Sequence, residues 1–219
     1  MKVVTIDGPA ASGKSSVSRE LANRMGWSWV STGAFYRGLA FVAQKTGTHV
    51  EDEAALVALA SSKVWRVEKA IENTKVIFEE EDVTEHIYKE EVGAAASKLS
   101  SLAGVRKSLL EAQRQMASDD SWLIAEGRDC GTVVFPEAPL KVYLTARSEA
   151  RAQRRASEQG VSLEETQKSQ AERDRQDATR KAAPMQVPES AHVIDTSTLN
   201  LEQVVDEVQK LAKNSLGSI

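Results

Sequence analysis

Gly8, Gly13, Lys14 and Ser15 stand in the spacing G-x-x-x-x-G-K-[ST] within "GPAASGKSS", residues 8–16. That spacing suits one chemistry. Glycines let the backbone curl so that successive N–H groups point inward on a phosphate, and a helix starting there adds its partial positive charge. Lys14 then reaches the β- and γ-phosphates of a nucleotide, and the Ser15 hydroxyl ligates Mg²⁺ together with water. The candidate donor loop is therefore Gly8, Pro9, Ala10, Ala11, Ser12, Gly13, Lys14, Ser15 and Ser16. The alternative is a glycine-rich turn that merely begins a helix.

The flanking residues decide between the two. Val3 to Ile6 is a short β-branched run, and "SSVSRELANRM" places Val17, Leu21 and Ala22 on one helical face. Strand, loop and helix thus follow in the order a phosphate loop requires. Further strands are expected at 27–30, 123–126, 140–144 and 192–195, separated mostly by helical stretches, which argues an α/β fold with a parallel sheet covered on both faces. Residues 63–87 differ in character. "VWRVE" and "KVIFEE" alternate with "KAIENT" able to turn between them, so a small antiparallel lobe interrupts the βα pattern. Helices are expected at 89–100 and 102–117, and "GAAA" at 93–96 suggests close packing or a closely approaching ligand. The acidic run 79–82 reads as a strand end or turn in water.

Composition excludes several classes. The 219 residues carry a net charge of −4, with 27% charged and 41% hydrophobic residues, ordinary for a soluble enzyme and without a global field for nucleic acid. No apolar stretch reaches the length of a membrane span, so a cytoplasmic protein without membrane or nucleic-acid partners is expected. One cysteine, Cys130, excludes internal disulfides and multi-cysteine zinc sites, and three scattered histidines offer it no base. A packed thiol is the expectation for it, against a nucleophile.

Beside the loop, the informative groups are Thr32, Tyr36 and Arg37 in "STGAFYR", Arg128 and Asp129 in "EGRDCGTVVFP", and Arg173, Asp177 and Arg180 in "ERDRQDATR". The last three are spaced i, i+4 and i+7, one stripe of a helix. Alone they would read as an ion-paired surface helix. With a phosphate loop present they gain a purpose, because a γ-phosphoryl in transfer needs cations around its equatorial oxygens and around the acceptor phosphate. Arginine suits this, meeting phosphate oxygens two at a time while keeping its proton. Residues 149–184 are almost wholly polar, as expected of a movable, arginine-bearing helix pair that closes over the site and excludes water.

Taken together and in order, "TIDGPAASGKSS", "STGAFYRGLA", "AEGRDCGTVVFP" and "AERDRQDATRKAAP" closely resemble bacterial-type cytidylate kinases, from about residue 2 to the final helix. The resemblance implies a P-loop kinase fold: α/β, a central five-stranded parallel sheet flanked by helices. One domain over 1–219 would contain a β-bearing nucleotide-monophosphate-binding insert at 63–100 and a short helical lid at 154–175. It implies ATP as donor, Mg²⁺ as cofactor and CMP or dCMP as acceptor; a monomer is expected. Thr32, where the family often has serine, and Tyr36 fall near the acceptor. Arg37, Arg128 and Arg180 match positions holding its phosphate, and Arg173 and Asp177 match those near its sugar. Ser97, Arg106 and Asp129 match positions facing the cytosine. Arg151 and Arg155 resemble residues that cover the donor adenine and reach the transferred phosphate. Lys14, Arg128, Arg155 and Arg180 are thus the catalytic candidates.

The chemistry of the base agrees independently. Cytosine offers an N4 donor beside N3 and O2 acceptors, fitting a carboxylate at Asp129 and a guanidinium at Arg106, whereas uracil reverses the pattern. Asp7 and Asp129 are placed to add contacts to metal-bound water. Rival readings are a kinase for UMP, AMP or another small acceptor, and a nucleotide switch. A GTP switch normally carries D-x-x-G and N-K-x-D, and neither occurs in the chain.

Overall fold

A computed structural model describes residues 1–160 and 162–217, the side chains of residues 158 and 159 excepted. Strands β1 (Val3–Asp7) and β2 (Ser28–Ser31) are followed by three short strands, β3 (Trp65–Glu68), β4 (Lys75–Phe78) and β5 (Glu81–Asp82). Then come β6 (Leu123–Gly127), β7 (Leu140–Thr145) and β8 (His192–Asp195). The central sheet is five-stranded in the order β2-β6-β1-β7-β8, and every neighbouring pair is parallel. The expected strand at 27–30 is shifted by one residue, because Trp27 stacks on Trp122 at 5.1 Å and leaves pairing to begin at Ser28.

Alternation along the strands divides the interior in two. Val3, Val30, Leu123 and Ala125 face helices α2 (Gly33–Thr46), α3 (Glu53–Ala60), α5 (Glu90–Leu99) and α6 (Ala103–Gln115), the short α4 (Thr84–Ile87) lying before α5. Val4, Ile6, Ile124, Leu140, Val142 and Leu144 face α1 (Lys14–Met25) and the last helix, α9 (Leu201–Leu216). The polar pair α7 (Ser148–Gln159) and α8 (Leu163–Thr179) lies between β7 and β8 in the chain. α9 packs on the core through Val204, Val205, Val208 and Ala212, and it starts with a reciprocal Asn200/Gln203 capping box.

The chain leaves β1, crosses to β2, returns to place β6 between them, and then builds β7 on the far side of β1. This reversal opens a crevice at the carboxyl ends of the strands, the usual ligand position in open α/β sheets. Asp7 and Gly127 pair in register there, so the loop after β1 and the turn after β6 leave the sheet at one level.

The interrupting lobe is the antiparallel sheet β3-β4-β5, one strand more than the hairpin expected. Glu79 and Glu80 adopt left-handed φ of 49° and 65° and turn β4 into β5, so the acidic run is partly a turn. The lobe is tied to the edge of the main sheet: the Trp29 N–H donates to the Ala70 carbonyl at 3.0 Å, and the Ser31 N–H to Thr74 Oγ1 at 2.8 Å. Residues 154–175, expected as a lid, are the end of α7 and most of α8. Residue 161 between them, and residues 218–219 of the domain expected over 1–219, lie outside the described residues. No helix among the described residues is long and apolar enough to cross a membrane.

Candidate active site

The phosphate loop is held open by its glycines. A Cβ at Gly8 would run into the Leu144 carbonyl, and Gly13, with φ 92°, starts α1 without any side-chain cap. The first N–H groups of α1 therefore face the cavity unclaimed by a capping side chain. Lys14 is 5% exposed and folds back over the loop, donating to the Pro9 carbonyl at 2.7 Å and Ser12 Oγ at 3.4 Å. Burial, and then the nearby Arg128, lower its amine to a pKa of about 7. Arriving phosphates reverse both effects by supplying negative charge at the amine.

A cavity of about 660 Å³ runs from this loop across the ends of β1 and β6 to the lobe and to α7 and α8. Ala10 to Ser16, Thr32, Tyr36, Arg37, Ser97, Arg128, Asp129, Arg155, Arg173, Asp177 and Arg180 all line it. Residues distant in sequence are thus brought to one surface, as expected.

At rest, carboxylates hold most of these cations. Arg128 donates from Nε to Asp177 at 2.8 Å. Arg173 pairs with Glu90 at the start of α5, and the other oxygen of Glu90 lies 3.9 Å from Arg155. Arg106 pairs with buried Asp129 and lies over the Tyr36 ring at 5.4 Å. Arg37 donates to the Ile87 carbonyl at 2.9 Å beneath Tyr88, in space left by Gly93. Arg180 lies 3.4 Å from both Asp129 and Asp177, its buried Nη2 ion-paired with Asp129 Oδ1 without hydrogen-bond geometry.

The residues expected at the site are not all placed alike. Arg180 does not share a helical stripe with Arg173 and Asp177: α8 ends at Thr179, and Arg180 turns out with φ −62° and ψ 139°. It returns to Asp177 because its Nε donates to the Ala183 carbonyl. Arg151 does not line the cavity; it is bound behind the loop by the Ala10 carbonyl and Asp174, and Arg154 lines the cavity instead. Arg106 also stays behind the cavity wall, contacting Asp129, Tyr36 and Ser100, which line it. Gly8 and Pro9 shape the loop from outside the lining. Ser97 is engaged by Gln176 at 2.7 Å.

Asp7 is not placed for a metal. Its two oxygens accept the Cys130 and Gly131 N–H groups at 2.8 and 2.7 Å, which fixes the π-helical turn Cys130–Val134 behind Arg128 and Asp129. Burial raises its pKa to about 6, against the lowering effect of those N–H groups. Asp129 is likewise taken by arginines. Cys130 is the packed thiol expected: fully buried, 3.4 Å from Thr32 Oγ1, with burial pushing its pKa well above the usual thiol range. Thr32 spends its hydroxyl on the Glu126 carbonyl at 3.0 Å.

One residue sequence reasoning passed over is Glu126. It is 4% exposed, lines the cavity, and accepts a hydrogen bond from Ser15 Oγ at 3.1 Å. Its position at the carboxyl end of the strand beside β1 could have marked it, since β6 must pair there if Arg128 is to reach the loop.

The comparisons agree with this geometry. The cytidylate kinase family model matches residues 4–214. A cytidylate kinase of Bdellovibrio bacteriovorus is 58% identical, covering 98% of this chain and 99% of its own, and one of Azotobacter vinelandii is 43% identical over 94% and 93%. Among solved structures, a gluconokinase from Sinorhizobium meliloti superposes with TM-score 0.52 at 14% identity, covering 97% of this chain and 94% of its own. A shikimate kinase from Acinetobacter baumannii gives 0.51 at 14%, covering 100% and 96%. These two likenesses bear on the fold, which is that of the P-loop kinases. With motifs, cavity and near full-length relatives in agreement, the chain belongs to the cytidylate kinase family.

Proposed function

We propose that the cavity seats both substrates of a cytidylate kinase end to end, ATP on the loop at 8–16 and CMP or dCMP between Arg37, Arg128, Arg180 and Asp129, for direct γ-phosphoryl transfer. The observation that carries this reading is the gathering of Arg37, Arg128 and Arg180 on the same cavity as Lys14 and the loop. Guanidiniums gathered beside a phosphate loop suit a second phosphate, whose oxygens accept from them two at a time.

The acceptor oxygen is already ionised at neutral pH, so no general base and no covalent intermediate are needed. Positioning and charge suffice. Lys14 stabilises the donor phosphates, while Arg128, Arg155 and Arg180 offset charge developing on the transferred group. Arg37 orients the acceptor phosphate. Arg173 and Asp177 lie at the sugar, Arg154 and Arg155 toward the donor, and Ser97, Arg106 and Asp129 at the base. CMP exchanges its own polar groups for the resting Arg106–Asp129 contact: the carboxylate accepts from N4, and the released guanidinium turns from behind the wall to donate to N3 and O2. Tyr36 backs Arg106.

For a divalent ion, the hydroxyl of Ser15 and the carboxylate of Glu126 are hard oxygens converging beside the loop, a set that suits Mg²⁺ with its remaining positions taken by water and phosphate. When bound, the ion neutralises charge between the β- and γ-phosphates. The insert at 63–100 and the lid at 154–175 then close over the substrates, and the Glu90 contacts to Arg155 and Arg173 join the two. A monomer is proposed as the working unit, and phosphorylated substrates suit the cytoplasm. A crystal soaked with CMP tests the assignment. Its phosphate is expected against Arg37, Arg128 and Arg180 with cytosine at Asp129; a ligand seated elsewhere overturns it.

A further inference from the structure

Behind the phosphate loop, Arg151 of α7 and Asp174 of α8 form an ion pair, Nη1 to Oδ2 2.6 Å, with side chains 10% and 18% exposed. Both also hold the backbone of Ala10. Asp174 Oδ1 accepts from the Ala10 N–H at 3.2 Å, and Arg151 Nη1 donates to the Ala10 carbonyl at 3.0 Å. The next residue, Ala11, has φ 55°, a left-handed conformation that is unfavourable for a residue with a Cβ and persists only when its surroundings impose it. Arg151 is in turn fixed by its Nε to the Ala146 carbonyl just beyond β7, at 3.2 Å, and its own carbonyl accepts from Gln170 of α8 at 3.3 Å. Neither member of the pair lines the cavity.

We infer that Arg151 and Asp174 are a positioning pair through which the lid imposes the conformation of the donor loop. The grip falls on both polar atoms of the residue that precedes the strained one. Lid and loop are therefore one mechanical element, and α8 cannot move away without releasing Ala10. An ion pair performs this task better than either charge alone. Its hydrogen bonds are charge-assisted, and the guanidinium cancels a carboxylate that would otherwise repel a triphosphate. The two single losses are consequently unequal. Removing Asp174 frees the loop, whereas removing Arg151 frees the loop and also leaves a bare carboxylate beside it.

The inference rests on the loop being the ATP site, and direct calorimetric titration with MgATP, without any acceptor, tests it independently of CMP turnover. Arg151→Ala is expected to weaken ATP binding most, on the order of 30-fold, and Asp174→Ala about tenfold. The double variant is expected to recover to the level of Asp174→Ala, because its repulsive carboxylate is gone. In steady-state assays the KM for CMP should stay within about twofold while that for ATP rises. If an alanine variant fails to fold, Asp174→Asn, which keeps an acceptor for Ala10 but breaks the ion pair, is expected to lose about threefold in ATP affinity. Additive single effects, an inert Asp174→Asn, or a CMP KM rising in step with that for ATP overturns the inference. Failure of the unmodified enzyme to bind ATP at all overturns instead the functional reading beneath it.

Discussion

Replacing Gly93 by alanine should make the protein more stable and less active, and the opposite signs make the test sharp. Gly93 lies inside α5, where a Cβ would stand 2.9 and 3.0 Å from the two Nη atoms of Arg37 and 3.3 Å from its Cζ. Ordinary contact begins near 3.4 Å, so the guanidinium must retreat by about half an ångström. It is the far end of a flexible side chain, restrained by the Ile87 carbonyl at 2.9 Å and by the Tyr88 ring. Misplacement by 1 Å costs on the order of 100-fold, so half that distance predicts about a tenfold fall in kcat/KM for CMP. Alanine in place of glycine within a helix contributes about 0.5–1 kcal/mol, raising the melting temperature of a domain this size by about 2 °C. Coupled ADP release with CMP varied at saturating ATP, beside a thermal melt, reads both effects. A variant that gains stability and keeps full efficiency with CMP refutes the assignment of Arg37 to the acceptor phosphate.

Further outcomes follow from the same geometry. Lys14→Ala should lower turnover by a factor of about 100 or more while the melt stays cooperative, because a preorganised cation at the transferring group is lost; near-normal turnover removes the loop from the mechanism. With the Lys14 amine at about 7 in the empty site and restored to a higher value by phosphates, ATP affinity should fall by up to tenfold per unit as pH rises above 7. Calorimetry in buffers of different ionisation enthalpy should then show proton uptake on binding at pH 8, and a pH-flat affinity contradicts this. Asp129→Asn offers cytosine N4 a weaker acceptor and leaves Arg106 and Arg180 without their buried counter-charge, so it should cut kcat/KM for CMP about 100-fold and narrow the preference over UMP; unchanged discrimination removes Asp129 from base recognition. Asp7 has a folded pKa of about 6 against 3.8 unfolded, so the native state binds the extra proton between those values. Stability from that proton is full below about 3.8 and lost as pH rises to 6. Asp7→Asn should flatten denaturation midpoints across this window; an unchanged slope contradicts the assignment.

The parts of the fold legible in the sequence are those where one chain segment carries its own cause. The β-branched run at 3–6, the glycines of the loop and the apolar stripe Val204, Val205, Val208 each declare strand, turn and helix locally, and the structure has them there. Where an element depends on contact with something remote, the signal fades. β5 is two residues long and exists because Glu79 and Glu80 accept left-handed backbone, and α3 is seven apolar residues after Glu53 without clear periodicity, anchored on Leu56.

The site divides in the same way. Residue types adapted to phosphate, at spacings a loop or helix imposes, point to Lys14, Arg37 and Arg128, all of which line the cavity. Which way each arginine faces was not legible, because that is decided by partners far along the chain. Arg151 turns behind the loop since Asp174 and Ala10 take it, Arg154 is fixed by donating to Thr196, and Arg180 leaves the helix for the Ala183 carbonyl. Glu126 escaped notice because a single acidic residue at a strand end has meaning only when the register between β1 and β6 brings it to Ser15.

The central claim is that this ring of arginines, with one carboxylate, brings a cytidine monophosphate to the γ-phosphate of ATP. The most direct test is initial-rate ADP formation with ATP, Mg²⁺ and each of CMP, dCMP, UMP, AMP and GMP in turn. Rates with CMP and dCMP are expected to exceed those with the other three by on the order of 100-fold or more. Equal release with every acceptor, or release that needs none, contradicts the account.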